Sequence, residues 1–328
     1  MAGRRVDADP APPATPAAAL VADLLSRCTF PPAGTAVTCA FSGGADSTAL
    51  VVLALAAGCD VVAVHVDHRL RPTSGAEAAR AVAVASALQV SCRVIEVDVG
   101  DGPNVEARAR DARREVLPAD ALTGHTADDR AATLLINLLR GAGLDGLTAM
   151  GPSPTRPILD LRRTDTERVC AALGIDVVSD PSNAHRRFVR NRVRDELVPL
   201  MADIAGRDVV PLLVRTATVL ADDGELADAH AAGLDATDAR MLATIAPSLA
   251  RRVVRGWLTG AAPDGHPPTS AVVERVLDVA RGTHRACEID GGRRVERHRQ
   301  RLRIVMPAAL ASNDGMNGTG EHAERGDR

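Results

Sequence analysis

Six consecutive residues, Ser42-Gly43-Gly44-Ala45-Asp46-Ser47, combine two glycines with two hydroxyls and a carboxylate. The two glycines let the backbone approach an anion closely, and Ser42, Ser47 and Thr48 add hydroxyl donors. The apolar run before them, residues 35–41, reads as a buried strand, and the alanine- and leucine-rich run after them as a helix. A helix N-terminus presents unpaired N–H groups and the positive end of a dipole, so this joint suits a phosphate. Asp46 narrows the chemistry. A carboxylate beside a phosphate cradle is repulsive unless a cation lies between them, so Asp46 is expected to reach magnesium directly or through water. The plainer alternative is a turn in which Asp46 and Ser47 only cap the helix. A Walker A loop is excluded, because its spacing is missing and the chain contains no lysine.

Two further polar groups sit at expected strand ends. His65-Val66-Asp67-His68-Arg69-Leu70-Arg71 ends one apolar run, and His125-Thr126-Ala127-Asp128-Asp129-Arg130 opens a helix. His125 and Asp129, four apart, share a helical face, with Asp128 beside them. Their carboxylates suit magnesium or a cationic substrate; alternatively they only favour the helix N-terminus electrostatically. A zinc site from His65, His68 and His125 has no ligand spacing to support it. Arg110 and Arg113 lie three apart on a charged helix and reach toward a triphosphate, or else form a solvated face with acidic neighbours. Residues 186–194, which include Arg190 and Arg194, form an arginine concentration too dense to be idle.

Positioning these groups requires repeated strand and helix units. Helices are predicted over 15–27, 74–88 and 105–117, and strands over 60–67, 91–97 and 120–124, with a further strand end at 156–160 and a turn at 179–183. Valine runs without strict alternation point to a parallel sheet buried on both faces. The expected fold is therefore an open doubly wound α/β sheet with its ligands at the carboxyl ends of the strands. Beyond about residue 200 the pattern changes to helices over 209–232, 236–244, 248–259 and 270–281. A small antiparallel meander over 285–290, 293–298 and 301–305 follows. The domains are thus expected at 15–200 and 201–310, between disordered tails at 1–14 and 311–328.

Composition bounds the rest. The 328 residues carry a net charge of −3, and every basic side chain other than histidine is arginine, so the distribution of charge matters more than its sum. Aromatics are 1% with no tyrosine, so base stacking cannot dominate any nucleic-acid contact. Six scattered cysteines without a CxxC pair read as reduced thiols of a cytoplasmic protein, and no stretch reaches membrane-spanning length.

Taken in order, the motifs resemble the N-type ATP pyrophosphatases that carry a Ser-Gly-Gly-x-Asp-Ser PP-loop, and within them the tRNA(Ile)-lysidine synthetases. The match runs through Ser42–Ser47, the 65–71 segment, Glu106-Ala107-Arg108-Ala109-Arg110 with Arg113, and Gly124-His125-Thr126-Ala127-Asp128-Asp129. It continues through Leu138-Leu139-Arg140-Gly141-Ala142-Gly143, Arg156-Pro157-Ile158-Leu159, Asp180-Pro181-Ser182-Asn183 and Arg190-Asn191-Arg192-Val193-Arg194. The resemblance implies an adenine nucleotide alpha hydrolase-like fold. It also implies a ligase that adenylates the wobble cytidine of an isoleucine tRNA with a CAU anticodon, releases pyrophosphate, and joins L-lysine to C2 with loss of AMP. ATP and magnesium are the implied cofactors, with Ser42, Gly43, Gly44, Ala45, Asp46 and Ser47 as the nucleotide-binding set and Asp46 as the metal ligand. Arg110, Arg113, Arg190 or Arg194 would stabilise charge at the α-phosphate or hold tRNA, and His125 and Asp129 would serve the attack by lysine.

The chain departs from that family in having Arg114, Arg130 and Ala132 where tyrosine, glutamine and glutamate are usual. With the glutamate missing, Asp129 is expected to receive the lysine ammonium with less help. The basic run over 293–303 is expected either to grip tRNA phosphates or to be a solvated hairpin, and the family's further C-terminal domain is expected to be absent. A homodimer stays open. The rival readings are a PP-loop tRNA thiolase, which would need paired cysteines, and a non-catalytic ATP-dependent RNA-binding homologue.

Overall fold

The computed structural model describes residues 15–70, 74–100, 102, 105–178, 186, 188–263 and 265–306. The expected tails and the turn at 179–183 lie outside the described residues. The first elements are α1 (Pro16–Leu25), β1 (Ala36–Ala40), α2 (Ala45–Ala56), β2 (Asp60–Asp67), α3 (Ser74–Ala87), β3 (Ser91–Glu96) and α4 (Val105–Val116). After them come α5 (Ala127–Leu139), α6 (Leu144–Leu147), α7 (Arg163–Ala172), α8 (Val189–Arg192), a π-helical turn (Val193–Leu197), α9 (Val198–Ala205) and α10 (Val210–Ala232).

The three strands form one parallel sheet in the order β1-β2-β3. The expected strand at 120–124 contracts to a single bridge: Leu122 pairs with Cys39, accepting from Ala40 N and donating to Thr38 O, both at 2.8 Å. Its neighbours are drawn elsewhere, Ala121 N to Pro118 O and Thr123 N to Thr155 O. Leu122 nevertheless lies across β1 from β2, so the order reverses beside β1, and a doubly wound sheet opens its ligand crevice at such a reversal. The strand end expected at 156–160 is instead a series of tight turns. Arg156 N, Leu159 N and Leu161 N each bond the carbonyl three residues back, and Pro157 has no N–H to give a ladder.

α2 is apolar on nearly every side because it is enclosed. Leu50, Val51 and Leu53 are fully buried with Leu24 of α1, Cys39 of β1, Ala63 of β2, Ala81 of α3 and Val169 of α7. Burying each such aliphatic side chain stabilises by roughly 1.5–3 kcal/mol, so the core is densest directly behind the Ser42–Ser47 loop.

Two compact units divide between Ala221 and Asp222. The division falls inside α10 and not near residue 200. Val198 and Met201 of α9 and Leu213 and Ala217 of α10 pack on Ala132, Leu135 and Ile136 of α5 and so belong to the sheet unit. The second unit contains α11 (Ala239–Thr244), α12 (Pro247–Ala261) and α13 (Ser270–Arg281), then the antiparallel strands β4 (Ala286–Glu288), β5 (Arg294–His298) and β6 (Arg301–Val305). Val253, Val254, Val276, Leu277, Val295 and Leu302 form its separate core. No helix of the described residues is long and apolar enough to cross a membrane.

Candidate active site

The loop after β1 takes its shape from its glycines. Gly43 has φ +78°, and a Cβ there would fall 2.8 Å from Val178 Cγ2 and 3.2 Å from Ala81 Cα. Gly44 is the N-cap of α2 and supplies no side-chain cap, so the first turn keeps its positive end available to an anion. Ser47 Oγ accepts from Ser42 N at 3.2 Å, lies 3.1 Å from Ser42 Oγ and donates to Gly44 O at 3.0 Å. The loop is thus braced internally, and the N–H groups at the start of α2 are the donors it offers a phosphate.

Asp46, in the first turn of α2, is held from α7. Thr166 is fully buried, with Oγ1 2.5 Å from Asp46 Oδ1 and 2.7 Å from Arg163 O; its one hydrogen goes to the carboxylate, the stronger acceptor, and Arg163 Nη1 lies 3.9 Å from Oδ2. Burial raises the Asp46 pKa, opposed by Thr166 and Arg163 and helped by Asp129 and Glu167. Such a half-enclosed carboxylate gains from a cation, and hard oxygen donors are those magnesium prefers. Among the described residues no group of three histidine, cysteine, aspartate or glutamate side chains is placed to hold a metal. A cation at Asp46 would therefore complete its shell with phosphate oxygens and water, the usual habit of magnesium.

α5 enters the site through a capping box. Asp129 Oδ2 accepts from Thr126 N at 3.1 Å and from Thr126 Oγ1 at 3.4 Å, while Asp129 Oδ1 pairs with Arg190 Nη1 at 3.4 Å. Asp128 turns the other way. It takes Arg162 Nε and Nη2 at 2.9 and 3.0 Å and Arg163 N at 2.8 Å, and Arg162 also pairs with Asp208. Burial would raise the Asp128 pKa, but these donors outweigh it and hold the carboxyl below its ordinary value. Asp128 is thus a brace between α5 and α7, the helix that also steadies Asp46.

His125 precedes α5. Thr123 Oγ1 has one hydrogen and donates it to Thr155 O at 3.0 Å, so it accepts from His125 Nδ1 at 2.8 Å. That tautomer leaves the Nε2 lone pair free to accept a proton or hydrogen bond. Burial, with the neighbouring Arg156, Arg113 and Arg190, outweighs Asp129 and lowers the His125 pKa to about 4, so the ring is neutral at pH 7. Gly124 joins this segment to the loop. A Cβ on Gly124 would lie 2.8 Å from Asp46 O, 2.9 Å from Asp46 C and 3.0 Å from Ser47 N.

Ser42, Asp46, His65, His68, Arg113 and His125 line one cavity of about 450 Å³ at the carboxyl ends of β1 and β2. His65 Nδ1 bonds Phe41 O at 2.9 Å and His125 Nδ1 is engaged by Thr123, whereas His68 Nδ1 is buried without a partner. Arg113 is pressed by burial and by Arg110, Arg114 and Arg190, all lowering its pKa. Four cations in one field leave a place for an anion. Arg194 holds Asp195 at 2.7 Å and feels Asp129 and Asp46. The structure therefore brings Asp46, Arg113, His125, Asp129, Arg190 and Arg194 into one neighbourhood, with Arg110 at its exposed edge.

The departures at 130 and 132 point away from it. Arg130 is 5% exposed and donates Nη2 to Thr218 Oγ1 of α10 at 3.0 Å, its Nε unpartnered. Ala132 is 2% exposed in the apolar contact with Val193 and Ala217. Sequence reasoning missed Thr166, Arg163 and Thr123. Thr166 lies 120 positions from Asp46, and only packing joins them. Among the described residues no cysteine lines the cavity, and burial pushes the Cys39 thiol up to about 12 and the Cys170 thiol up to about 11, so neither is a ready thiolate.

Comparison with known proteins fits this geometry. Residues 18–201 match the family described as a PP-loop domain, and residues 238–303 match the family described as a TilS substrate binding domain. A tRNA(Ile)-lysidine synthase of Nocardia farcinica is 44% identical over 245 residues, which is 70% of this chain and 77% of the relative. The same-named protein of Mycolicibacterium paratuberculosis is 43% identical, covering 67% and 73%. Among solved structures, the U34-tRNA thiolase NcsA of Methanococcus maripaludis superposes with a TM-score of 0.50 at 16% identity, over 62% of this chain and 77% of that one; this supports the fold alone. The PP-loop match across more than half the chain, and relatives aligned over more than two thirds of it, show that the chain belongs to the tRNA(Ile)-lysidine synthase family of PP-loop proteins.

Proposed function

We propose that the chain ligates L-lysine to C2 of the wobble cytidine in a tRNA(Ile) with a CAU anticodon, in two steps driven by ATP in the cytoplasm. The observation that carries this is that the loop carboxylate Asp46, the cation Arg113 and the proton acceptor His125 line the same cavity at the sheet's reversal point. In the first step the C2 oxygen of cytosine bonds to the α-phosphorus of ATP as the bond to pyrophosphate breaks. The uncapped start of α2 and the hydroxyls of Ser42 and Ser47 receive the departing pyrophosphate. Asp46 would hold magnesium, which supplies neutralisation of the phosphate charge. Arg113 and Arg190 set a positive potential over the α-phosphate.

In the second step an amine of lysine bonds to C2 and the C2–oxygen bond breaks, releasing AMP. The attacking nitrogen must lose protons, and Nε2 of the neutral His125 is a positioned acceptor whose basicity rises once phosphates occupy the cation field. Asp129 presents Oδ1, at 3.4 Å from Arg190, to a substrate ammonium. Arg190 and lysine compete for that oxygen. Ala132 packs against side chains of α9 and α10, so in this reading Asp129 receives the ammonium without a carboxylate at 132.

Incubating the full chain with ATP, magnesium, labelled lysine and isoleucine tRNA bearing a CAU anticodon tests the reading. Label is expected in tRNA in step with pyrophosphate release. ATP binding without lysine incorporation would sink it in favour of a non-catalytic RNA-binding role.

A further inference from the structure

Several arginines of the second unit are neutralised within it. Arg294 and Arg303 both pair with Glu296, at 3.9 and 3.2 Å; Arg301 pairs with Asp235 at 2.5 Å; and Arg281 pairs with Asp278 at 3.1 Å. Arg293 is buried and donates to the carbonyls of Ala261 and Asp290 at 2.6 and 3.0 Å, so it is structural. The basic run is therefore not one uniform positive strip. Across residues 283–305, among the described residues, the side chains of Arg285 and Arg299 are exposed and make no hydrogen bond or ion pair.

Both line a single concavity of about 280 Å³, together with Gly282, His284, Arg297 and Gln300. Among the described residues no carboxylate lines it. The backbone bond from Arg297 N to Arg285 O, at 3.1 Å, sets the two residues side by side. Arg297 is pre-positioned: its guanidinium is held by the Gln300 side chain, and its Nη1 lies 2.5 Å from where a Cβ would stand on Gly282, the left-handed cap of α13. The φ of +86° at Gly282 favours glycine, and a side chain there would displace the Arg297 guanidinium.

The turn itself supplies an independent sign. β5 and β6 are joined by two residues, Arg299 and Gln300, with φ of +46° and +68°. Such a two-residue hairpin favours Asn-Gly or Asp-Gly, and a long side chain in the left-handed region costs free energy. Here the unfavourable conformation places Arg299 at the rim of the concavity and its neighbour Gln300 against Arg297. The lining has neither an aromatic nor a large aliphatic side chain to take a base. It suits a phosphate alone, read without sequence.

We propose that Arg285, Arg297 and Arg299 form a seat for a backbone phosphate of the tRNA. This rests on the function proposed above, and it assigns the contact to these residues and not to the paired arginines of the same hairpin.

The test measures binding of the full chain to tRNA(Ile) with a CAU anticodon across salt concentration. The variants are Arg285→Gln with Arg299→Gln, against Arg281→Gln with Arg303→Gln as the paired control. Each neutralised phosphate contributes roughly 0.7–0.9 to the slope of log affinity against log salt. The first pair empties one phosphate seat and should therefore lower the slope by about 0.7–0.9, with binding several-fold weaker at low salt, while the control pair leaves the slope unchanged. Tight tRNA binding with the same slope in both pairs would overturn the seat and leave the ligase reading intact. A wild-type chain that binds no tRNA would remove the ligase reading, and the seat with it. Inorganic phosphate is the remaining arm: if it binds the wild type and not the first pair while their tRNA slopes coincide, the site holds a free anion and the RNA assignment is wrong.

Discussion

Gly124→Ala places a methyl group inside the joint between the 122–125 segment and the start of α2. The new Cβ would stand 2.8 Å from Asp46 O, 2.9 Å from Asp46 C and 3.0 Å from Ser47 N, all backbone atoms that cannot rotate away. Reaching an ordinary contact near 3.4 Å requires about 0.6 Å of relative movement. Neither side yields easily. Leu122 is clamped to β1 by two 2.8 Å hydrogen bonds, and α2 is buried along its length. Overpacking of this kind costs about 1–3 kcal/mol. The larger effect is catalytic, because the shift falls on the residue that carries the loop carboxylate and on the neighbouring hydroxyl of Ser47. A misplacement approaching 1 Å at reacting groups can cost on the order of 10²-fold. Pyrophosphate release in the presence of tRNA is therefore expected to fall by about one to two orders of magnitude, with thermal unfolding lowered by several degrees. Gly75→Ala is the control: its Cβ meets nothing within 4 Å in α3, and it should hold or slightly raise stability. A Gly124→Ala protein with normal turnover and melting would refute the claim that this glycine sets the loop's position.

Two further outcomes follow from the same site. Thr166→Val removes the donor at 2.5 Å from Asp46 Oδ1, so pyrophosphate release should need more magnesium and Thr166→Ser should restore it; an unchanged magnesium dependence would show that Asp46 needs no such support. His125 keeps its ring neutral in the fold down to about pH 4, whereas in the unfolded chain it takes up a proton near 6.5. Between those values the unfolded chain binds more protons, so stability falls as pH drops through that window. From pH 7 to pH 5 the loss attributable to His125 is about 2 kcal/mol, and denaturant unfolding of His125→Gln should lack that share; an identical acid limb would place the ring in a more solvated environment.

Much of the site was legible in the sequence because its parts are local. Ser42–Ser47 announces an anion cradle through glycine and hydroxyl spacing alone, and the apolar runs around it announce the strand and the helix. The polar end of β2 was visible too, and so was the nearness of His125 and Asp129, though not through a shared helical face: His125 stands before the Thr126 N-cap, outside α5. What the sequence could not carry was the use of each carboxylate. Asp128 and Asp129 are adjacent and chemically identical, yet one turns to Arg162 and Arg163 of another element while the other caps α5 and meets Arg190. A helix sets neighbouring side chains about 100° apart, and only the packing of α7 and α8 determines what each one meets.

The same division holds elsewhere in the chain. Residues 120–124 have strand composition, but a sheet edge pairs only where backbone groups are free, and Thr155 takes the next N–H. Arg130 and Ala132 stand out in the sequence only as departures from a motif; that both pack toward α10 and the helices beside it is a tertiary fact. In the hairpin, composition shows only many arginines. Which of them keep a free charge depends on where Glu296, Asp235 and Asp278 sit, and that is a property of the folded unit. Local chemistry and periodicity are short-range and written along the chain, whereas partner choice is settled by contacts between residues tens to more than a hundred positions apart.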